Sequence, residues 1–518
     1  MHRQSEGLTL EAVRPATTLA GTLRQLADLI DKRPVLFLPV WIFAFLAVLW
    51  RPAHRPFWYD ELFTYYVAMS PTFQHFVGCI RNVDLNPPLH YVLIRCGIVL
   101  FGDTPFTARM PVIMAFLAAS LIVFHLISRR LGGGLGLAAL GIFWSFAITA
   151  YAVELRTYAF TLAFFCAAAL CWLNAVEFDR WTVWHTGLTA SIAAMFLTHC
   201  FSPPYAAAIG AGELVRAIVS RRIDKRVWVA ILAPLGILPF YIPLVRNAQT
   251  VLTPHSAEPN LFTIPKFYLW IIAPLVPVIG AMLLAWLIRG PKKPRFGWPG
   301  FARPHEIAFS IAALLAPAIT MSYCIWSGVP FWPRHGSGAI LGGTLILTAL
   351  LASVTRRSVN AAVASAGLIL VLFCFTRAGT GRLMKQYENA STAYRTIRPE
   401  LPFVTASGLT FLEMDRREAP EFIHRLYDLT DRDSALRYHT NIFEGMPILK
   451  QWFPVRANIE PYRDFTSRHR QFLVLATRDF PEDWLLPKLA ADGAEIRLLR
   501  EENTGYRDRE LYEVTLRP

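Results

Sequence analysis

The chain has 518 residues, of which 54% are hydrophobic and only 17% charged, against roughly 25% charged in a soluble domain. With a mean hydropathy of +0.37, this excludes an ordinary soluble enzyme and reads as a multipass membrane protein, with 15 Trp and 36 Phe available for interfacial belts. The net charge of +14 is accounted for by positive-inside loops and an anionic lipid surface, not by a nucleic-acid partner.

The polar leader reaches Arg33 before the first apolar run, and no small-residue cleavage site follows that run, so a cleavable signal is not expected. Within the leader, Thr22 to Ile30 reads as a short amphipathic helix on the membrane surface. A span needs about 20 apolar residues. Eleven candidates follow, at 34–50, 106–128, 134–151, 157–176, 183–198, 201–219, 228–246, 264–288, 306–328, 338–354 and 359–376. Leu89 to Phe101 is apolar but short, and reads as a helix at the interface.

Lys and Arg collect in alternate short loops. Arg129 and Arg130, Arg180, the Arg216–Arg226 group, the Arg289–Arg303 group, and Arg356 and Arg357 share one side, which the positive-inside rule makes cytoplasmic. The N-terminus then lies inside, and the loop after the first span lies outside with everything beyond Thr376. The expected division is a cytoplasmic segment over 1–33, a membrane catalytic domain over 34–376, a linker over 377–396 and an extracytoplasmic domain over 397–518. In that last part, apolar runs at Phe403–Leu412, Gln471–Ala476, Glu495–Leu499 and Glu510–Leu516 read as strands. Ala419–Leu429 and Asp483–Ala491 read as helices, which together make a small α/β domain. The fold class is therefore an all-α polytopic membrane protein with a small C-terminal α/β domain. The seven cysteines read as scattered buried thiols, with Cys79 and Cys96 alone placed to pair outside apolar runs.

The chemistry gathers in the outward loops. Phe57-Trp58-Tyr59-Asp60-Glu61-Leu62 puts adjacent carboxylates just past the first span, and ionisable residues at membrane depth mark function by default. The plainer alternative is that they solvate a loop or cap the next helix. Asp84-Leu85-Asn86-Pro87-Pro88-Leu89-His90-Tyr91 carries polar groups around a Pro-Pro that suits a first helical turn. In Glu154-Leu155-Arg156-Thr157-Tyr158-Ala159, Glu154 and Tyr158 share a face if the segment is helical, and Arg156 points elsewhere. Outward loops also hold Arg246, His255 and Glu258. Pro333-Arg334-His335 precedes another span, and arginine is the preferred bidentate partner of phosphate.

The order W-Y-D-E, N-P-P-L-H-Y, F-G-D, A-R-M-P, E-L-R-T-Y-A, T-H and P-R-H along the chain resembles the GT-C membrane glycosyltransferases. It is most similar to the bacterial branch with protein O-mannosyltransferase-like enzymes, the aminoarabinose transferase of lipid A and the galacturonic-acid transferases of lipopolysaccharide cores. The resemblance covers about residues 34 to 376. It implies a polyprenyl-phosphate sugar donor, a lipid, glycan or protein acceptor, and transfer with inversion at the outer face of a bacterial inner membrane. Asp60, with Glu61 beside it, matches the family's acidic residue, implied to be the general base or to orient the acceptor. Arg156 and Arg334 match basic positions near the donor phosphate, and His199 matches the histidine of T-H-Y. Asp84, His90, Glu154 and Tyr158 join them as substrate-binding candidates. Asn86, Cys200 and His335 depart from the usual histidine, tyrosine and tyrosine. No cofactor is obligatory on this reading, although Asp60, Glu61, Asp84 and Glu154 are the hard oxygen ligands a divalent metal takes. The alternatives are a multipass transporter or lipid flippase, for which an internal repeat and midplane charges would be expected, and a membrane scaffold or sensor.

Overall fold

The structure is a computed structural model. It describes residues 19–84, 86–178, 181–244, 246, 259–289, 303–329, 331–356, 358–378, 394, 396–438, 446–478, 484–502 and 508–517. The eleven expected spans fall on helical segments, one of them broken, and the count of eleven is not reproduced. Among the described residues, 7 helices are long and apolar enough to cross a membrane, or up to 8 if a bent pair is one span. Trp181–Phe196 and Ala339–Val354 are 16 residues each, and Pro203–Ser220 carries Glu213 and Arg216. Phe43, Ile288, Trp326 and Phe375 are exposed, as side chains facing lipid are. The interfacial candidate forms the 13-residue helix Leu89–Phe101. The leader forms the helix Leu19–Lys32 with Leu23, Leu26 and Leu29 exposed along it.

The expected span at 134–151 is broken. Gly133–Ser145 is wholly buried and meets the 3₁₀ turn Ala147–Val153 at 83°. The break frees backbone carbonyls at membrane depth, where each must find a donor. Arg377, at the end of the last membrane helix, supplies it, with Nη2 donating to the Phe146 carbonyl at 2.7 Å. Small residues set close helix approach elsewhere. A Cβ on Gly342 would lie 2.4 Å from the Ser310 carbonyl, so only glycine lets these backbones meet.

The C-terminal part holds a 6-stranded sheet in the order β3-β2-β1-β4-β6-β5. The strands are β1 (Phe403–Thr405), β2 (Leu426–Thr430), β3 (Asn458–Pro461), β4 (Gln471–Thr477), β5 (Glu495–Glu502) and β6 (Arg509–Thr515). β1 to β4 pair in parallel, and β4, β6 and β5 antiparallel. β4 shows the alternation of a strand covered on both faces. Its Leu473 and Leu475 join the core shared with the membrane helices, while Phe472, Val474 and Ala476 join a separate cluster with Tyr462, Trp484 and Val514. Here the sequence reading needs correction. The run expected as a strand to Leu412 ends at Thr405 and continues as the helix Gly408–Arg417. The expected helix Ala419–Leu429 is a short turn, Pro420–Ile423, followed by β2. β3 was not anticipated. Cys79 and Cys96 are both free.

Candidate functional site

Asp60 and Glu61 open the helix Tyr59–Ala68, and the structure separates them. Glu61 is fully buried. Its carboxylate accepts from Arg109 Nε at 2.8 Å and Nη2 at 2.5 Å, from the Leu155 N–H at 2.8 Å and from the Trp58 N–H at 3.3 Å. The last bond is the N3-to-N-cap half of a capping box. Burial opposes its ionisation, yet Arg109, Arg55 and the Leu155 N–H hold the Glu61 carboxyl below the usual range. The plain alternative, a capping carboxylate, accords with these contacts, which engage both Glu61 oxygens. Asp60, one residue earlier, points the other way. Its side chain is 18% exposed and its Oδ2 lies 2.8 Å from Arg334 Nη2.

Arg156 is the hub of the site. It is buried, 9% exposed, and its Nη1 donates to the Asp60 carbonyl and to Thr64 Oγ1, each at 3.0 Å, and to both oxygens of Asp84 at 3.2 Å. Tyr91 completes Asp84 with a 2.6 Å hydrogen bond. Burial pushes the Asp84 carboxyl up, against the pull of Arg156. The segment is not the helical turn on which Glu154 and Tyr158 would share a face, and Arg156 and Glu154 turn to different partners. Residues 154–157 are not helical, because the next helix begins only at Tyr158, and the irregular backbone turns Arg156 inward. Glu154 sits 3.9 Å from Arg55, and burial pushes its carboxyl up to about 7.

Further contacts sew these loops together. Thr157 Oγ1 donates to the Thr198 carbonyl at 2.7 Å, the Leu89 N–H to the Leu197 carbonyl at 2.9 Å, and the Tyr205 hydroxyl to the His335 carbonyl at 2.7 Å. The Tyr158 ring lies 5.7 Å from His199 and 6.2 Å from His335, and His335 stacks on Phe201 at 4.7 Å. Burial, with Arg156 and Arg334 nearby, pushes the His199 imidazole down to about 3. Its Nδ1 accepts from the Phe201 N–H at 3.0 Å, which leaves the proton of the neutral ring on Nε2. His90 is fully buried, with Nδ1 on the Pro87 carbonyl at 3.1 Å.

The structure thus brings Asp60, Asp84, His90, Glu154, Arg156, Tyr158, His199 and Arg334 into one neighbourhood and sets Glu61 behind it. Arg246 is exposed, and His255 and Glu258 lie outside the described residues. Sequence reasoning gave no role to Arg55 or Arg109 and did not foresee the pairing of the Phe201 and His335 rings. Arg109 carried a signal, as the arginine of A-R-M-P near the start of a 27-residue apolar helix. Several buried polar atoms of the cluster have no hydrogen-bond partner among the described residues: His90 Nε2, Glu154 Oε2, Arg156 Nε and Arg334 Nε. Unsatisfied buried groups are few in native structures, so their gathering here makes this cluster the candidate site for a polar ligand. Among the described residues, no group of three or more His, Cys, Asp or Glu could hold a metal ion.

Comparison with known proteins agrees with this architecture. Residues 85–245 match the family described as dolichyl-phosphate-mannose-protein mannosyltransferase. No curated protein sequence gave a match. Among solved structures, ArnT from Cupriavidus metallidurans in the apo state is similar, with a TM-score of 0.56 and 14% identity over 92% of this chain and 97% of that one. The same protein bound to undecaprenyl phosphate gives a TM-score of 0.55 at 14% identity, with the same coverage. The chain is a multipass membrane protein with the fold of the GT-C superfamily of membrane glycosyltransferases.

Proposed function

We propose that the chain transfers a sugar from a polyprenyl-phosphate donor to an acceptor hydroxyl, with inversion, at the outer face of a bacterial inner membrane. The observation that carries this reading is the convergence of Arg156 and Arg334 on Asp60, beside buried polar atoms that lack partners. The solved relative that binds undecaprenyl phosphate supports the donor class, and the basic loops support the orientation. On this reading 34–376 forms the catalytic membrane domain and 397–518 the outer domain.

In the proposed reaction the donor phosphate competes with Asp60 for Arg334, which releases the carboxylate towards the acceptor. Asp60 takes the acceptor's hydroxyl proton, the acceptor oxygen bonds to the anomeric carbon, and the bond from that carbon to the phosphate oxygen breaks. The electron pair leaves with the lipid phosphate, whose charge Arg156 and Arg334 stabilise. Neutral His199 and His90 offer a donor and an acceptor to sugar hydroxyls. Glu61 holds the loop rather than taking the proton.

Binding of undecaprenyl phosphate to the purified chain, followed by intrinsic tryptophan fluorescence, tests the donor site. Arg334→Ala is expected to weaken it about tenfold or more, as the loss of one charge-assisted contact does. No saturable binding by the unsubstituted chain would count against a polyprenyl-phosphate donor.

A further inference from the structure

The C-terminal domain meets the start of the helix that carries the candidate base at Glu413. Glu413 lies on the helix Gly408–Arg417 and is buried. Its Oε1 accepts the N–H of Tyr59 at 3.2 Å. Tyr59 is the first residue of the helix that carries Asp60, and a first-turn N–H has no partner within its own helix. The same helix is braced further along. Arg416 donates to the Tyr65 hydroxyl at 3.0 Å, Tyr65 donates to Asp103 at 2.7 Å, and the Phe453 ring meets Phe63 edge-on at 5.2 Å.

The polar contacts sit on a shared apolar core, in which Tyr59, Leu62 and Tyr66 pack with Leu409, Leu412, Met414 and Phe453. A cavity of ≈ 450 Å³ lies between the domains, lined by Tyr66, Met69, His75, Arg416 and Trp452 among others. On the membrane side the same helix end is gripped by Arg109 through Glu61. Asp60 sits between these two holds.

We infer that Glu413 is a positioning residue for Asp60, by which the C-terminal domain sets the orientation of the catalytic carboxylate. The inference rests on the reading of Asp60 as base. A misplacement of about 1 Å can cost about 10²-fold in rate, so the acceptor oxygen on Tyr59 N–H is predicted to matter for turnover and not for donor capture.

The test uses the full chain in lipid, unsubstituted, as Glu413→Ala and as Glu413→Gln, which keeps an acceptor oxygen. It reads amide hydrogen exchange over 58–68, and kcat and KM for transfer from a polyprenyl-phosphate sugar. Glu413→Ala is expected to speed exchange over 58–68 while β4 and β6 stay protected, and to lower kcat about tenfold or more with KM for donor little changed. Glu413→Gln is expected to restore most of both. Exchange or kcat unaffected by Glu413→Ala overturns the inference. Equal damage in both variants also overturns it, because the acceptor would then not be what matters. If exchange behaves as expected but the unsubstituted chain transfers no sugar, the transferase reading fails while the hold of Glu413 on this helix stands.

Discussion

Adjacent carboxylates with identical sequence credentials have opposite fates in this fold. Asp60 and Glu61 are consecutive, so on a helix they point about 100° apart. One meets Arg334 in the open cluster and the other is sealed against Arg109. The W-Y-D-E motif pointed to the candidate site but could not say which acid faces the cluster, because that depends on a partner 48 residues away. Arg156 was legible as a phosphate candidate, but its inward turn was not, since it depends on where the next helix starts. Glu154 supplies the prediction at this scale. Its carboxyl is raised from 4.5 to about 7, so the folded chain holds a proton there that the unfolded chain has lost. Its contribution to stability is therefore largest below about pH 4.5, falls as pH rises towards 7, and stays lost above that. At roughly 1.4 kcal/mol per pH unit, Glu154→Gln is expected to be the more stable chain at about pH 8, by on the order of 3 kcal/mol. Above about pH 7 the ionised carboxylate also repels a donor phosphate, so donor affinity should fall with pH in the unsubstituted chain and stay flat in Glu154→Gln. Thermal melts and donor titrations across about pH 6 to 8 check both.

At the scale of elements, the membrane helices were readable because a bilayer leaves few options for apolar runs of this length. The break at Phe146 was not, because Gly133 to Val153 carries no charge and no proline and its bend is set by tertiary contacts, Arg377 among them. In the C-terminal domain, β4 and β6 were legible from apolar runs, whereas Gly408–Arg417 was misread because its apolar start continues that of β1. The Arg109–Glu61 pair is the element-level device with the clearest consequence. Both side chains are 0% exposed, and Arg109 also donates to the carbonyls of Ala53, Arg55 and Pro56. Removing one partner of a buried pair costs about 3–5 kcal/mol. Arg109→Ala is expected to lower the thermal midpoint sharply and cut the yield of monodisperse protein, and Arg109→Leu combined with Glu61→Gln should recover part of it. A midpoint unchanged in Arg109→Ala would show that the pair does not hold the loop.

Across the whole molecule, charge is sorted to the two ends of the membrane helices. Pro105–Leu131 carries Arg109 near its start and Arg129 and Arg130 in its last turn, about 30 Å apart at 1.5 Å per residue. The far end is tied by Arg129 and Arg130 to Glu177, and by Arg130 to Glu306. The proposed orientation puts that end inside. In a chain freed of its native cysteines, a membrane-impermeant maleimide applied to intact cells should label Ser467→Cys in the outer domain and spare Arg222→Cys. The reverse pattern would invert the topology and place the Asp60 cluster inside. The identity of the sugar and of the acceptor was not legible in the sequence, because pocket shape decides it and no residue type reports shape.

The most direct measurement is sugar transfer by the purified chain in lipid, from a panel of radiolabelled polyprenyl-phosphate sugars to an envelope extract, with Asp60→Asn alongside. The account predicts label in a new product with the unsubstituted chain, and loss by about 10² to 10⁴-fold in Asp60→Asn, the range a general base supplies, with folding intact. Transfer at an undiminished rate by Asp60→Asn would contradict it.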